Sequence, residues 1–162
     1  MIKNYTLDPA SGFTQKGRGT KQHLIVEPPV LYPPLDNSRI ALKPNAQTID
    51  YFADVQWGER LALLIQESVI QSLQNAGRFL SISRPGEGVV AAYSLNVDVQ
   101  GFHINYQGDK PHNAEASYLV QLIRNTTRRV IATQMLQAFV PLGREASLDE
   151  IAAALNRAHM QV

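Results

Sequence analysis

The sequence predicts an α+β fold, in which a mostly antiparallel sheet carries a long central helix and a C-terminal helix packed on one face. Apolar residues recur at helical spacing in two stretches, 54–77 and 147–162, whereas several other segments alternate apolar and polar residues as half-buried strands do. The links between the last three strand segments are too short for parallel crossovers, which indicates antiparallel pairing. A chain of 162 residues normally forms one domain, and we expect a single domain over residues 1–162.

The first part of the chain predicts three short strands, at residues 4–8, 23–27 and 39–43, separated by two irregular segments. Residues 9–21 are small, polar and glycine-rich, so residues 1–21 are expected to be partly flexible. Residues 27–37 include four prolines. Proline lacks the amide that a sheet interior needs, so this segment is expected to be extended, irregular or at an edge.

A strand from residue 48 to 52 is predicted to run directly into the longest helix. Asp54 is expected to cap that helix, because its carboxylate could accept bonds from the free amides of the first turn. Gly77 suits the left-handed position just past a helix end. The helix would present one apolar stripe to the core, formed by Trp57, Leu61, Leu64, Ile65 and Ser68.

A strand is predicted at residues 79–83, followed by a long strand at 92–106. In the long strand the apolar residues fall at odd positions before Gly101 and at even positions after it. Tyr93, Leu95, Val97 and Val99 precede the change, and Phe102, Ile104 and Tyr106 follow it. A β-bulge at Gly101 would keep both sets on the core side. Strands at 114–123 and 130–140 complete an antiparallel meander, and the pair Ser147 and Glu150 matches a capping box for the last helix.

Composition excludes several classes of function. The chain has no cysteine, which excludes disulfides, thiolate metal sites and cysteine nucleophiles. Its net charge of +1 gives no electrostatic reason to expect a nucleic-acid partner. No apolar run approaches the ~18 residues that span a bilayer, and no signal peptide is visible. The chain is thus a cytoplasmic protein or a mature protein whose targeting segment lies outside this sequence.

The residues predict no enzyme, no cofactor and no metal site. The four histidines, His23, His103, His112 and His159, lack metal-ligand spacing and are expected to be surface or strand polar residues. The glycines of residues 84–88 lack the lysine of a P-loop, and no GxSxG nucleophile elbow occurs. An acidic cluster of Asp36, Asp50 and Asp54 is one interpretation; solvated turns and a helix cap are the other.

Three features are candidates for binding a partner or ligand. The first is the proline-rich segment, whose apolar residues Val30, Leu31, Tyr32 and Leu35 could meet a partner or could cover the sheet edge. The second is Trp57, either a core residue or a contact. The third is the pair Leu63 and Ile70, which lie seven residues apart on the polar side of the long helix. These two are either isolated exposed residues or a subunit contact of a homo-oligomer.

The order of these pieces resembles the ABC-type transport auxiliary lipoproteins, the group that includes the paraquat-inducible protein C lipoproteins. The resemblance covers nearly the whole chain. It is carried by Tyr5 and Leu7; Val26, Pro28 and Pro29; Arg39, Ile40 and Leu42; Tyr51, Trp57 and Leu61; and Tyr93, Leu95, Val97 and Val99.

The resemblance implies a non-enzymatic periplasmic lipoprotein, held on the outer or, less readily, the inner membrane through a lipidated cysteine that this sequence does not contain. It also implies an ABC permease, its ATPase and a mammalian cell entry-type substrate-binding protein as partners, in a system that moves lipids or other apolar compounds. The leading hypothesis is therefore a docking subunit. The alternatives are a lipid-binding module with a pocket between helix and sheet, and a hydrolase if serine, histidine and aspartate prove to cluster.

Overall fold

A computed structural model describes residues 2–10 and 22–161. Of the loop predicted to be flexible at residues 9–21, residues 11–21 lie outside the described ranges. The described residues form two helices and one sheet of nine strands. The strands are β1 (Lys3–Tyr5), β2 (His23–Val26), β3 (Val30–Leu31), β4 (Arg39–Asn45), β5 (Thr48–Trp57), β6 (Ser81–Ser83), β7 (Tyr93–Gln107), β8 (Lys110–Arg124) and β9 (Arg129–Pro141). The helices are α1 (Leu61–Ala76) and α2 (Leu148–Gln161).

Strand β7 organises the sheet. Along one side it pairs antiparallel with β8 over its whole length, and β9 follows antiparallel beyond β8. Along its other side β7 pairs in turn with β2, β3 and β4, all parallel. β6 lies beyond β2, and β5 and then β1 lie beyond β4.

The predicted meander of β7, β8 and β9 is confirmed, but the prediction of a mostly antiparallel sheet is wrong. Five of the eight strand pairings are parallel. The chain between β4 and β7 contains α1, which is long enough for the crossover that parallel strands need. The sheet is therefore mixed, within an α+β fold as predicted.

The bulge predicted at Gly101 is confirmed. The pairing of β7 with β8 shifts by one residue between Val99 and Gly101. Val99, at an odd position, and Phe102, at an even position, are therefore both buried in the core. Glycine gives room here, because a Cβ atom would lie 2.9 Å from Glu115 Oε2 and would force that side chain to move.

Helix α1 begins later than predicted, and Asp54 does not cap it. β5 continues through Asp54, which adopts a positive φ of 61°, as far as Trp57. Pairing holds this stretch extended, since the Trp57 amide donates to the Ser38 carbonyl at 2.7 Å and Trp57 is the partner of Tyr5 in β1. The local capping signal of Asp54 is thus overridden by sheet contacts. The C-terminal prediction is confirmed: Gly77 has φ 67° and its amide donates to the Leu73 carbonyl.

Both helices pack on the same face of the sheet. Leu61 and Ile65 of α1 share one core with Ile151 and Leu155 of α2. The capping interaction that opens α2 is confirmed, since the Glu150 amide donates to Ser147 Oγ at 3.2 Å. In the described part of the chain, neither helix combines the length and apolar character needed to cross a membrane.

Candidate docking surface and ligand cleft

The proline-rich segment alternates between anchoring and exposed residues. β3 joins the sheet beside β7, and the Tyr32 amide donates to the Val99 carbonyl at 2.9 Å. Leu31 and Leu35 are buried in the main core, whereas 67% of Val30 and 51% of Tyr32 are exposed. Leu31 and Leu35 thus anchor the segment in the core, and Val30 and Tyr32 are the residues of this segment that a partner could reach.

The other predicted contact residues do not lie together. Trp57 is 1% exposed, and its ring centroid is 5.6 Å from that of Phe102 inside the core. Leu63 is exposed on α1, as predicted. Ile70 is 3% exposed, so its predicted place on the polar side of the helix is wrong.

The burial of Ile70 has a clear cause in the packing of α1. A second, smaller core joins Ile70 to Leu24 and Val26 of β2. Beside it, the Gln66 amide nitrogen donates to the Val26 carbonyl at 3.1 Å. α1 therefore buries a wider arc than its apolar stripe indicated, because β2 packs against its flank.

An open groove lies on the sheet face opposite the helices, with Val30 at its margin. Its volume is about 690 Å³. Its floor alternates polar and apolar residues of β7 and β8, including Asn96, Gln121 and Leu119, and Glu27 and Pro28 complete one wall. A surface of this composition suits a protein partner better than an apolar ligand, because most of its polar groups would need hydrogen bonds on burial.

An apolar cleft of about 400 Å³ lies on the helical face, between α1, α2 and the sheet. Most of its wall is aliphatic. The lining residues are Ala10, Val69, Ser72, Leu73, Ala76, Leu95, Val97, Tyr118, Val120, Leu136, His159 and Met160. Such a site could hold an apolar chain while a few polar atoms fix its orientation.

A buried polar chain centred on His159 borders this cleft. His159 Nε2 lies 2.6 Å from Ser68 Oγ, and His159 Nδ1 lies 2.6 Å from the Tyr118 hydroxyl oxygen. Burial lowers the pKa of His159 to about 4 and raises the pKa of Tyr118 well above 10. Both groups are therefore neutral at pH 7. The prediction that His159 is a surface or strand residue is wrong. Its position four residues after Leu155 places it on the apolar stripe of α2, and this spacing could have indicated that it is buried.

Ser68 and His159 do not form a nucleophile–base pair. The Ser68 hydroxyl donates its single proton to the Asp8 backbone carbonyl at 2.9 Å. His159 must then donate through Nε2 and accept from Tyr118 at Nδ1. A histidine that already carries the Nε2 proton cannot remove one from Ser68, and the Asp8 carboxylate bonds Asn156 instead.

The remaining polar residues hold structural positions. His103 is buried on β7, where burial lowers its pKa, and Nε2 lies 3.0 Å from Asn105 Oδ1. Asp36 pairs with Arg60 at 2.9 Å, and the Asp50 carboxylate accepts from the amide of Tyr51. Within residues 2–10 and 22–161, no group of three or more histidine, aspartate or glutamate side chains is placed to hold a metal ion.

Several solved structures share this fold. A protein from Xanthomonas campestris, of the group DUF330, is 20% identical with a TM-score of 0.83, covering 99% of this chain and 89% of its own. A hypothetical protein from Chlamydia trachomatis is 11% identical with a TM-score of 0.57, covering 86% and 92%. PelC from Paraburkholderia phytofirmans, solved as a dodecamer, is 13% identical with a TM-score of 0.51, covering 96% and 93%.

Comparison with curated proteins gave no significant match. The sequence profile of the ABC-type transport auxiliary lipoprotein component matches residues 5–162, which confirms the family indicated by the order of motifs. That description is of a transport component of the cell envelope and not of an enzyme class. This chain belongs to the family of ABC-type transport auxiliary lipoprotein components.

Proposed function

We propose that this chain is a non-enzymatic periplasmic docking subunit of an ABC-type system that moves lipids or other apolar compounds. In this proposal it is anchored to the outer membrane and binds a mammalian cell entry-type substrate-binding protein. Family membership supports the general role in ABC transport. The observation that carries the docking role is the exposure of Val30 and Tyr32 on a segment anchored on both sides.

The anchoring makes Val30 and Tyr32 suitable for docking. Leu31 and Leu35 fix the segment in the core, and the short helical turn Pro33–Leu35 follows directly. Because the segment is already ordered, binding loses little conformational entropy. Tyrosine is also enriched among the residues that dominate interface energies.

Replacing Val30 and Tyr32 together with serine is expected to weaken binding to the cell entry-type protein about tenfold or more. Binding would be measured by capture of the purified partner on the immobilised native lipoprotein. Val90→Ser is the matched control, because Val90 is 92% exposed in a loop outside this segment.

The two parts of the proposal can fail separately. If the wild-type lipoprotein captures neither the cell entry-type protein nor the permease and ATPase, the docking function is wrong. If the wild type binds and the double variant binds equally well, the function stands and Val30 and Tyr32 are not its contacts.

Self-association through Leu63 is part of the same proposal. PelC assembles as a dodecamer, and Leu63 is exposed on the outer side of α1. In this proposal Leu63 contributes one apolar contact to the interface between subunits.

The apolar cleft supports a second candidate function, direct binding of a lipid. Ala76→Phe would place a ring in the cleft at the C-terminal end of α1, and Ala76→Ser is the control of nearly unchanged size. Native mass spectrometry of gently purified protein is expected to detect bound lipid on the wild type and Ala76→Ser and to detect less on Ala76→Phe. Wild-type protein that stays bare under lipid-rich conditions would exclude this function.

A further inference from the structure

The outer side of β9 is a long unpaired sheet edge. β9 spans thirteen residues, and β8 is the only strand that pairs with it in the described part of the chain. The first seven residues of β9 are all exposed. Unpaired backbone amides and carbonyls of such an edge can accept another strand.

This edge has few of the usual protections against pairing. No residue from 130 to 141 is charged, and the only proline of β9 is its last residue, Pro141. One irregularity is present, because the register with β8 skips Ile131 near the start of β9 and is regular from Ala132 to Pro141. Natural edge strands are commonly guarded by lysines, prolines, bulges or short length.

Apolar side chains are concentrated on the same strand. Val130, Ile131, Met135 and Phe139 are four of the twelve exposed large hydrophobic residues in the described ranges. Clustered exposed apolar residues on an uncharged strand indicate a surface that a protein covers.

We propose that β9 binds β9 of a second copy of this chain, antiparallel, so that the two sheets become continuous across a two-fold axis. The lengths of the free edges favour β9 of a second copy as the strand that pairs with β9. The other free edges of the described sheet are β1 and β6, with three residues each, and the part of β5 that β1 does not cover, residues 48–54. A head-to-tail contact with any of these would leave about half or more of β9 unpaired, whereas two copies of β9 are equal in length.

The charges at the strand ends select the antiparallel direction. Arg128 and Arg129 precede the uncharged stretch. Parallel pairing would place the arginines of both copies together, and antiparallel pairing separates them to opposite ends. With the axis at Met135, the middle of Arg129–Pro141, Thr133 of one copy lies opposite Gln137 of the other.

Single cysteines test the geometry directly, because the chain has none of its own. Thr133→Cys, Met135→Cys and Gln137→Cys would be oxidised separately and examined on a non-reducing gel. Residues that pair across antiparallel strands have Cα atoms about 4.5–5.5 Å apart, within the range of a disulfide. We expect a covalent dimer at the position nearest the axis and a sharp fall two residues away, with none for Val90→Cys.

Equilibrium sedimentation tests the energetics. Met135→Lys would bring two like charges together at the axis and is expected to weaken dimerisation about tenfold or more. Val90→Lys adds the same charge elsewhere, and Leu63→Lys tests the contact on α1. A monomeric wild type at every concentration, or the absence of a dimer at every cysteine position in β9, would overturn the inference. A monomeric wild type would also contradict self-association through Leu63. Neither result bears on binding of the transport partners, so the docking function is judged separately.

Discussion

Replacing Trp57 with alanine is expected to lower the free energy of unfolding by about 3–5 kcal/mol, the range seen for buried tryptophan and phenylalanine truncations. Trp57 ends β5 at the point where β1, β4 and the start of α1 converge. Its side chain fills the core beside Phe102. Since small domains are stable by only about 5–15 kcal/mol, this one change removes much of the stability.

The measurement is equilibrium urea unfolding of the wild type and the variant. Trp57→Phe is the control, because a smaller aromatic ring keeps part of the packing against Phe102 and should lose less. A Trp57→Ala variant that unfolds within about 1 kcal/mol of the wild type would contradict the core role. That result would favour the alternative that Trp57 contacts a partner, since truncating a contact residue affects binding and leaves stability nearly unchanged.

Stability is expected to fall by about 3 kcal/mol as the pH is lowered from 6.5 to 4, through the protonation of His159. In the folded chain burial lowers the pKa of His159 to about 4, against 6.5 in the unfolded chain. Between these values the unfolded state binds more protons, so acid favours unfolding. The stability contributed by neutral His159 is therefore complete above pH 6.5 and lost as the pH falls toward 4.

The measurement is urea unfolding at several pH values on the wild type and on His159→Gln. The variant removes the titrating group and keeps a polar side chain between Ser68 and Tyr118. Its stability should depend less on pH over this window. His103, whose pKa is also lowered by burial, is present in both proteins and cancels in the difference. Equal pH slopes in the two proteins would contradict the role of His159.

Local signals determined the features that a few neighbouring residues can specify. The left-handed turn at Gly77, the bulge at Gly101, the cap at Ser147 and the three-strand meander all depend on contacts close in sequence. The family was also readable from the sequence, because its motifs follow one another in a fixed order. Within the proline-rich segment, the sequence indicated a stiff apolar loop beside the sheet but did not separate anchoring from exposed residues.

Only the tertiary structure decided which strands lie beside β7 and which side chains are buried. Parallel pairing joins Ala41 to His103, far apart in the chain, and no local pattern encodes such a contact. Long-range contacts also extend β5 past Asp54. They bury Ile70 against β2, and they bury His159 between Ser68 and Tyr118. In each case the free energy of pairing or packing with a distant segment exceeded the local preference of the residue.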